Sequence, residues 1–173
     1  GGSNNVAVGW EAGKAQTTAV QNTLIGARAG GKVTTGTVNT FVGWEAGFEC
    51  TTGGANVGVG RQACDAITTG NYNTAMGYQA MGRSGTGASS HTALGYQALK
   101  AASTSSGSTA VGYGALTAAT SGGAHVAVGY NCLSTAQTPN QVTGVGYECL
   151  RDYTGNGTLG QTLGMGYRAA YQA

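Results

Sequence analysis

At 173 residues the chain has the length of one domain. Its formal net charge is only +2, charged residues make up 8% of it, and Val, Ile, Leu and Phe together number 25. These figures exclude a solvated disordered chain, which needs high net charge, and an ordinary globule, in which roughly 25% of residues are charged. The five Arg and three Lys are scattered without a basic run, so nucleic acid is not an expected partner. The 33 glycines follow no period of three, which excludes collagen. No apolar stretch reaches transmembrane length, so membrane insertion is not expected. The opening Gly1-Gly2-Ser3-Asn4-Asn5 carries no secretory pattern, and the expectation is either an excised or processed piece or a virion or surface part that needs no signal of its own.

From the N-terminus onward, one short pattern is written ten times. Its central glycines are Gly9, Gly26, Gly43, Gly60, Gly77, Gly95, Gly112, Gly129, Gly146 and Gly166. The gaps between them are 17 residues, except for 18 before Gly95 and 20 before Gly166. A fixed period of this length marks a stacked array in which each repeat is one structural unit.

Just before the glycine stands a large apolar residue in every copy: Val8, Ile25, Val42, Val59, Met76, Leu94, Val111, Val128, Val145 and Met165. Just after it stands an aromatic residue in eight copies: Trp10, Trp44, Tyr78, Tyr96, Tyr113, Tyr130, Tyr147 and Tyr167. Thr, Val or Leu lies three before, and mostly Ala or Gly two before. One side thus carries Thr/Val, Val/Leu and Tyr/Trp, and the other Ala and Gly. Such alternation, rich in β-branched and aromatic residues, predicts a strand. Past the glycine the third residue is always Ala or Cys. The fourth is Gly13, Gly30 or Gly47 in early copies and Leu99, Leu116, Leu133 or Leu150 in later ones. A second short extended piece is expected there. A polar turn such as Thr34-Thr35-Gly36 or Thr51-Thr52-Gly53 closes the unit, with its glycine expected at positive φ. Pro139 falls in the same turn slot, where it interrupts no ladder.

A unit this small cannot bury its apolar face alone, but ten stacked units can. The chain is therefore read as all-β: a parallel β-solenoid of about ten 17-residue rungs, one repeat domain over 1–173, cut from a longer fibre. A rise of about 4.8 Å per rung gives a rod of about 48 Å. The density of glycine and β-branched residues argues against helices. Asn5, Asn22, Asn39, Asn56 and Asn73 share one slot and are expected to stack as an amide ladder. His91 and His125 stand in that slot in later copies. They read as substitutes for Asn rather than metal ligands, because the chain has no other imidazole to complete a site. A continuous aromatic column exceeds what a soluble monomer leaves exposed. Identical chains are expected to cover it, in an intertwined or side-by-side homotrimer.

Cys132 and Cys149 occupy the slot that is Ala in the other eight copies. A rung spacing of about 4.8 Å lies within the Cα range of a disulfide. Side chains on adjacent parallel strands point the same way, however, so small buried thiols are the favoured reading. The acids are Glu11, Glu45, Glu49, Asp65, Glu148 and Asp152. Glu11 and Glu45 share a slot two rungs apart, about 10 Å by rung spacing. That is outward decoration rather than the carboxylate pair, about 5–9.5 Å apart, of a glycosidase. Gly58-Val59-Gly60 is repeat punctuation and lacks the strand-to-helix context of a phosphate loop. No catalytic residues, cofactor or metal are expected. Candidate ligand contacts lie instead where the period is broken. These are Arg83 in the stretch 82–90, and Arg151, Asp152, Tyr153 and Asn156 in the stretch 151–157. Insertions in solenoids map to loops on one face, often the functional one.

Residues 73–81, 91–99, 108–116 and 125–133 carry the run Asn/Ser/His-Thr/Val-Ala-Val-Gly-Tyr-x-Ala-Leu in its clearest form. That run resembles the repeat of bacteriophage tail-fibre and tailspike proteins. Asn5-Val6-Ala7-Val8-Gly9 is more loosely similar to the head repeat of trimeric autotransporter adhesins, whose repeats are shorter. The resemblance spans about residues 4 to 170. It implies a homotrimeric β-solenoid on a virion or cell surface, joined to adjoining fibre segments and taking part in host attachment. Two other functions remain open: a surface adhesin or glycan-binding solenoid, and an ice-binding solenoid built on stacked threonines. Against the last, the paired turn threonines are sequence neighbours, which point to opposite faces.

Overall fold

The computed structural model describes residues 2–101, 106–118, 123–135, 141–153 and 162–170. Each repeat contributes one short strand, ending at the residue before its glycine. These are β1 (Val6–Val8), β2 (Thr23–Ile25), β3 (Thr40–Val42), β4 (Val57–Val59), β5 (Thr74–Met76), β6 (Thr92–Leu94), β7 (Thr109–Val111), β8 (Val126–Val128), β9 (Val142–Val145) and β10 (Thr162–Met165). They form a single parallel sheet in sequence order, so the fold is an all-β solenoid with rungs of about 17 residues. No helix occurs among the described residues, and none is long and apolar enough to cross a membrane.

Register follows the glycine throughout. Met76 pairs with Leu94 across the 18-residue spacing, and Val145 pairs with Met165 across the 20-residue one. The added residues are absorbed outside the strands, because a one-residue slip within a strand would turn its side chains to the opposite face.

The second extended piece predicted past the glycine is not a strand. The residues two and four past the glycine adopt left-handed backbone, as in Arg28 (φ 59°) and Gly30 (φ 55°), or Gln97 (φ 53°) and Leu99 (φ 51°). This alternation sends N–H groups two residues apart in opposite directions along the axis. Arg28 N donates to Trp10 O on the rung before (2.7 Å), and Gly30 N to Ala46 O on the rung after (2.8 Å). Left-handed backbone costs a non-glycine residue about 1 kcal/mol. These bonds to neighbouring rungs, with the Ala29 N–H held inside its own rung by Gly26 O (3.2 Å), satisfy the backbone donors and offset that cost.

The glycines earn their places by close approach. A Cβ on Gly60 would lie 2.6 Å from the carbonyl oxygen of Gly77, and the backbone there holds φ at 128°. The turn glycines differ from expectation: Gly36 and Gly53 are not at positive φ. What excludes a side chain is the next rung, since a Cβ on Gly53 would meet Gly70 O at 2.4 Å.

The interior is one narrow continuous cluster. Inward-facing strand residues Leu24, Phe41, Ala75, Ala93, Ala110 and Ala127 are fully buried, as are Ala29, Ala46, Ala63, Ala80, Ala98 and Ala115 across the axis. The strand valines and isoleucine beside the glycine point outward and take no part in this core: Val8 and Ile25 are exposed.

The asparagine ladder forms, and its main bonds run from side chain to backbone. Asn39 Oδ1 accepts the Asn56 N–H (3.0 Å), Asn56 Oδ1 accepts the Asn73 N–H (3.0 Å), and Asn56 Nδ2 donates to Gly70 O (2.9 Å). His91, Ser108 and His125 continue it. His91 N donates to Asn73 Oδ1 (3.0 Å), Ser108 N to His91 Nδ1 (3.1 Å), His125 N to Ser108 Oγ (3.2 Å) and Val142 N to His125 Nδ1 (3.4 Å).

Candidate functional site

The sheet has one face in the core and one in solvent, and the exposed face is almost free of charge and rich in aliphatic and aromatic residues. Three columns run along it, contributed by the residues three before, one before and one after each glycine. The first is Thr or Val in all rungs but the last, where it is Leu163; the second is wholly aliphatic or Met. The third holds the eight aromatics with Ala27 and Arg61. Arg61 is the only charged residue in these three columns.

The aromatic column changes character along its length. Tyr78, Tyr96, Tyr113, Tyr130, Tyr147 and Tyr167 stack with ring centroids 4.7–5.4 Å apart and planes within 12°. Their exposure runs from 36% at Tyr78 to 72% at Tyr167. Arg61 closes the other end. It sits over both the Trp44 ring (4.5 Å) and the Tyr78 ring (5.3 Å), and Nη1 donates to the Tyr78 hydroxyl (2.7 Å). Trp10 and Trp44 are separated by Ala27. Ring faces that lie against one another are not open to a sugar ring, so the stack presents edges and hydroxyls outward. Partial desolvation, then the Glu148 carboxylate, hold the Tyr147 phenol above the usual tyrosine range.

The residues two past the glycine form a second, polar column. Arg28 stands between Glu11 and Glu45: Nη1 bonds Glu45 Oε1, and Nε lies 4.0 Å from Glu11 Oε2. Glu11 and Glu45, two of the three carboxylates in this slot, are thus bridged by a cation rather than facing each other as an acid/base pair. Gln62 Nε2 donates to Glu45 Oε2 (3.1 Å), Gln79 Nε2 to Gln62 Oε1 (2.9 Å) and Gln97 Nε2 to Gln79 Oε1 (3.0 Å). Asp65 is half-buried, and its Oδ1 has no hydrogen-bond partner among the described residues. Burial first, then the carboxylates of Glu45 and Glu49, push its pKa up to about 6.

The candidate ligand contacts separate. Arg83 is exposed, and its N–H donates to Lys100 O (2.8 Å). Arg151 pairs with Glu148 (3.2 Å) and Asp152 (3.7 Å), and Asp152 Oδ1 accepts from Thr135 Oγ1 (3.0 Å). Glu148 also pairs with Arg168 (2.8 Å), a partner that sequence reasoning missed although Arg168 shares its slot. Tyr153 packs against the core with its hydroxyl 2.8 Å from Thr162 Oγ1. Asn156 and Pro139 lie outside the described residues. Three of the five candidates are therefore brought together at one rung, where they bond to the scaffold.

All four thiols are buried and free. Burial pushes those of Cys50 and Cys132 up to about 12 and raises that of Cys64, so they are poor nucleophiles. Among the described residues no three His, Cys, Asp or Glu side chains converge on a metal position. No protein-family model matches the chain, and neither a curated protein nor a solved structure is significantly similar to it.

Proposed function

We propose that this chain is a structural segment of an attachment fibre, carried on a virion or at a cell exterior. In this reading its exposed sheet face is covered by copies of itself in a homotrimer, and adjoining segments continue the shaft. The observation that carries the reading is the exposed face: aliphatic and aromatic columns beside a Thr/Val column over ten rungs, interrupted by a single charge. Ten rungs of about 4.8 Å by a strand width of about 13 Å give on the order of 600 Å² before side-chain overhang. That approaches the roughly 800 Å² each partner contributes to a stable complex. A monomer would leave this face in water, at the upper end of the largest patch that soluble monomers expose, about 300–600 Å².

Two observations argue against the alternatives. The tyrosine faces that could stack on a glycan stack on each other. The first threonine of each turn is engaged along the axis rather than presented as an ice-matching array: Thr34 Oγ1 donates to Thr51 O and Thr51 Oγ1 to Thr68 O, both at 3.1 Å.

Light scattering at micromolar concentration tests the proposal. A trimer is expected, and Val111→Lys with Tyr113→Lys should give folded monomers with an unchanged β circular dichroism spectrum. A parent chain that stays monomeric in solution would end this reading.

A further inference from the structure

The buried polar column carries a chemical asymmetry that a purely structural shaft does not need. In its first five rungs the acceptor is an asparagine oxygen, which no accessible pH alters. In the next three it is His91, Ser108 and His125. Both imidazoles are fully buried, and each uses Nδ1 to accept a backbone N–H from the following rung: Ser108 at 3.1 Å, Val142 at 3.4 Å. A ring nitrogen that accepts carries no proton. Protonation would set an N–H against an N–H inside a column only one side chain wide.

We propose that His91 and His125 make the later rungs an acid-operated release, in which proton uptake opens rungs six to nine while the asparagine-columned rungs stay closed. The proposal goes beyond the fibre reading and does not depend on the trimer. Asn73 and Ser108 flank His91 in the column, and Ser108 and Val142 flank His125. The other titratable groups on these rungs offer little compensation. Glu148 is held by Arg151 and Arg168, and Asp152 by Thr135 and Arg151. Cys132 and Cys149 are buried thiols, Lys100 is half-buried, Tyr153 is engaged with Thr162, and Tyr96, Tyr113, Tyr130 and Tyr147 lie on the exposed face. The tyrosine stack spans the same rungs, so opening them would also disturb the face assigned to association.

The sign is fixed by linkage. The unfolded chain binds a proton at each histidine below about pH 6.5 and the closed rung does not, so stability falls as pH falls through that range. Hydrogen exchange of the full chain, corrected for intrinsic rates, reads this directly. Protection at the Ser108 and Val142 amides should drop about tenfold per pH unit below about 6.5, while that at Asn39, Asn56 and Asn73 does not fall. His91→Asn with His125→Asn imports the acceptor already used at Asn56 and should abolish the drop. Should that variant not fold, ¹⁵N chemical shifts of the parent imidazoles supply a second reading: bare Nδ1 at neutral pH, protonated as Ser108 and Val142 protection is lost. Acid protection equal in both groups of rungs, or a loss that persists in the asparagine variant, would overturn the proposal. Neither result bears on whether the chain forms trimers.

Discussion

Rungs two and three fill the solenoid from the strand side, and rungs five to nine fill it from the opposite side. Leu24 and Phe41 reach across the axis to Gly30 and Gly47, where an added Cβ would lie within 2.7 and 2.4 Å of their side chains. Later, Met81, Leu99, Leu116, Leu133 and Leu150 supply the bulk, and the strands answer with Ala75, Ala93, Ala110, Ala127 and Gly144. The backbone scarcely notices: Gly47 has φ 60° and Leu99, in the same slot, φ 51°. A narrow close-packed interior conserves the volume summed across the axis, not the identity of either position.

That inversion can be broken and rebuilt. Gly47→Leu alone drives a branched side chain into the Phe41 ring and should yield no folded protein, or lose more than about 4 kcal/mol. Phe41→Ala alone should cost about 3–5 kcal/mol through the cavity it leaves. The double variant recreates the pairing of Ala93 with Leu99 and should return to within about 2 kcal/mol of the parent. Urea unfolding followed by circular dichroism distinguishes these cases. If the double were no better than the worse single change, volume exchange across the axis would be the wrong account.

The polar column also divides early from late, one rung further on, between Asn73 and His91. Asn56→Leu keeps the size but leaves the Asn73 N–H and the Gly70 carbonyl without their partner, a loss of about 2–4 kcal/mol in the same assay. Asn56→His moves the later rungs' acceptor into an early rung and should cost much less at neutral pH, with an acid sensitivity that the parent lacks there.

How far the sequence revealed this arrangement differs from slot to slot. The strands, their register and the shared asparagine slot were legible, because alternation of period two and a 17-residue recurrence each have one structural meaning. The outward direction of the Tyr column was legible for the same reason, whereas valine was expected to help fill the interior and the valines beside the glycine instead face outward. The left-handed run past the glycine was not legible. Glu45, Gln62 and Leu99 carry no local preference for positive φ, and only Gly13, Gly30, Gly47, Gly114 and Asn131 hint at it. Rung-to-rung hydrogen bonding overrides propensity there. The exchange of bulk between Leu24 or Phe41 and the later leucines was half visible, as two slots varying without any sign that they face each other. The candidate contacts at Arg151, Asp152 and Tyr153 followed from a broken period alone. Their partners Glu148, Thr135 and Thr162 come from other slots, which only the coiling brings near.

Charge separates the two regions as well, and in the opposite sense to the histidines. Glu11, Arg28, Glu45, Lys32, Glu49 and Asp65 crowd the first four rungs. Asp65 is the member left short of a partner, with a folded pKa of about 6 against 3.8 for the free group. An acid whose pKa is raised on folding binds more protons folded than unfolded between those values, so its rungs lose stability as pH rises from about 4 to about 6. Solvent screening of this half-buried group reduces the effect to about 1 kcal/mol. Asp65→Asn should therefore stabilise the early rungs slightly at neutral pH and flatten their profile across that window, leaving exchange at Ser108 and Val142 unchanged. Acid would then tighten one end of the rod and loosen the other. A decline of both regions together as pH falls would mean that net charge, rather than these few groups, governs the response.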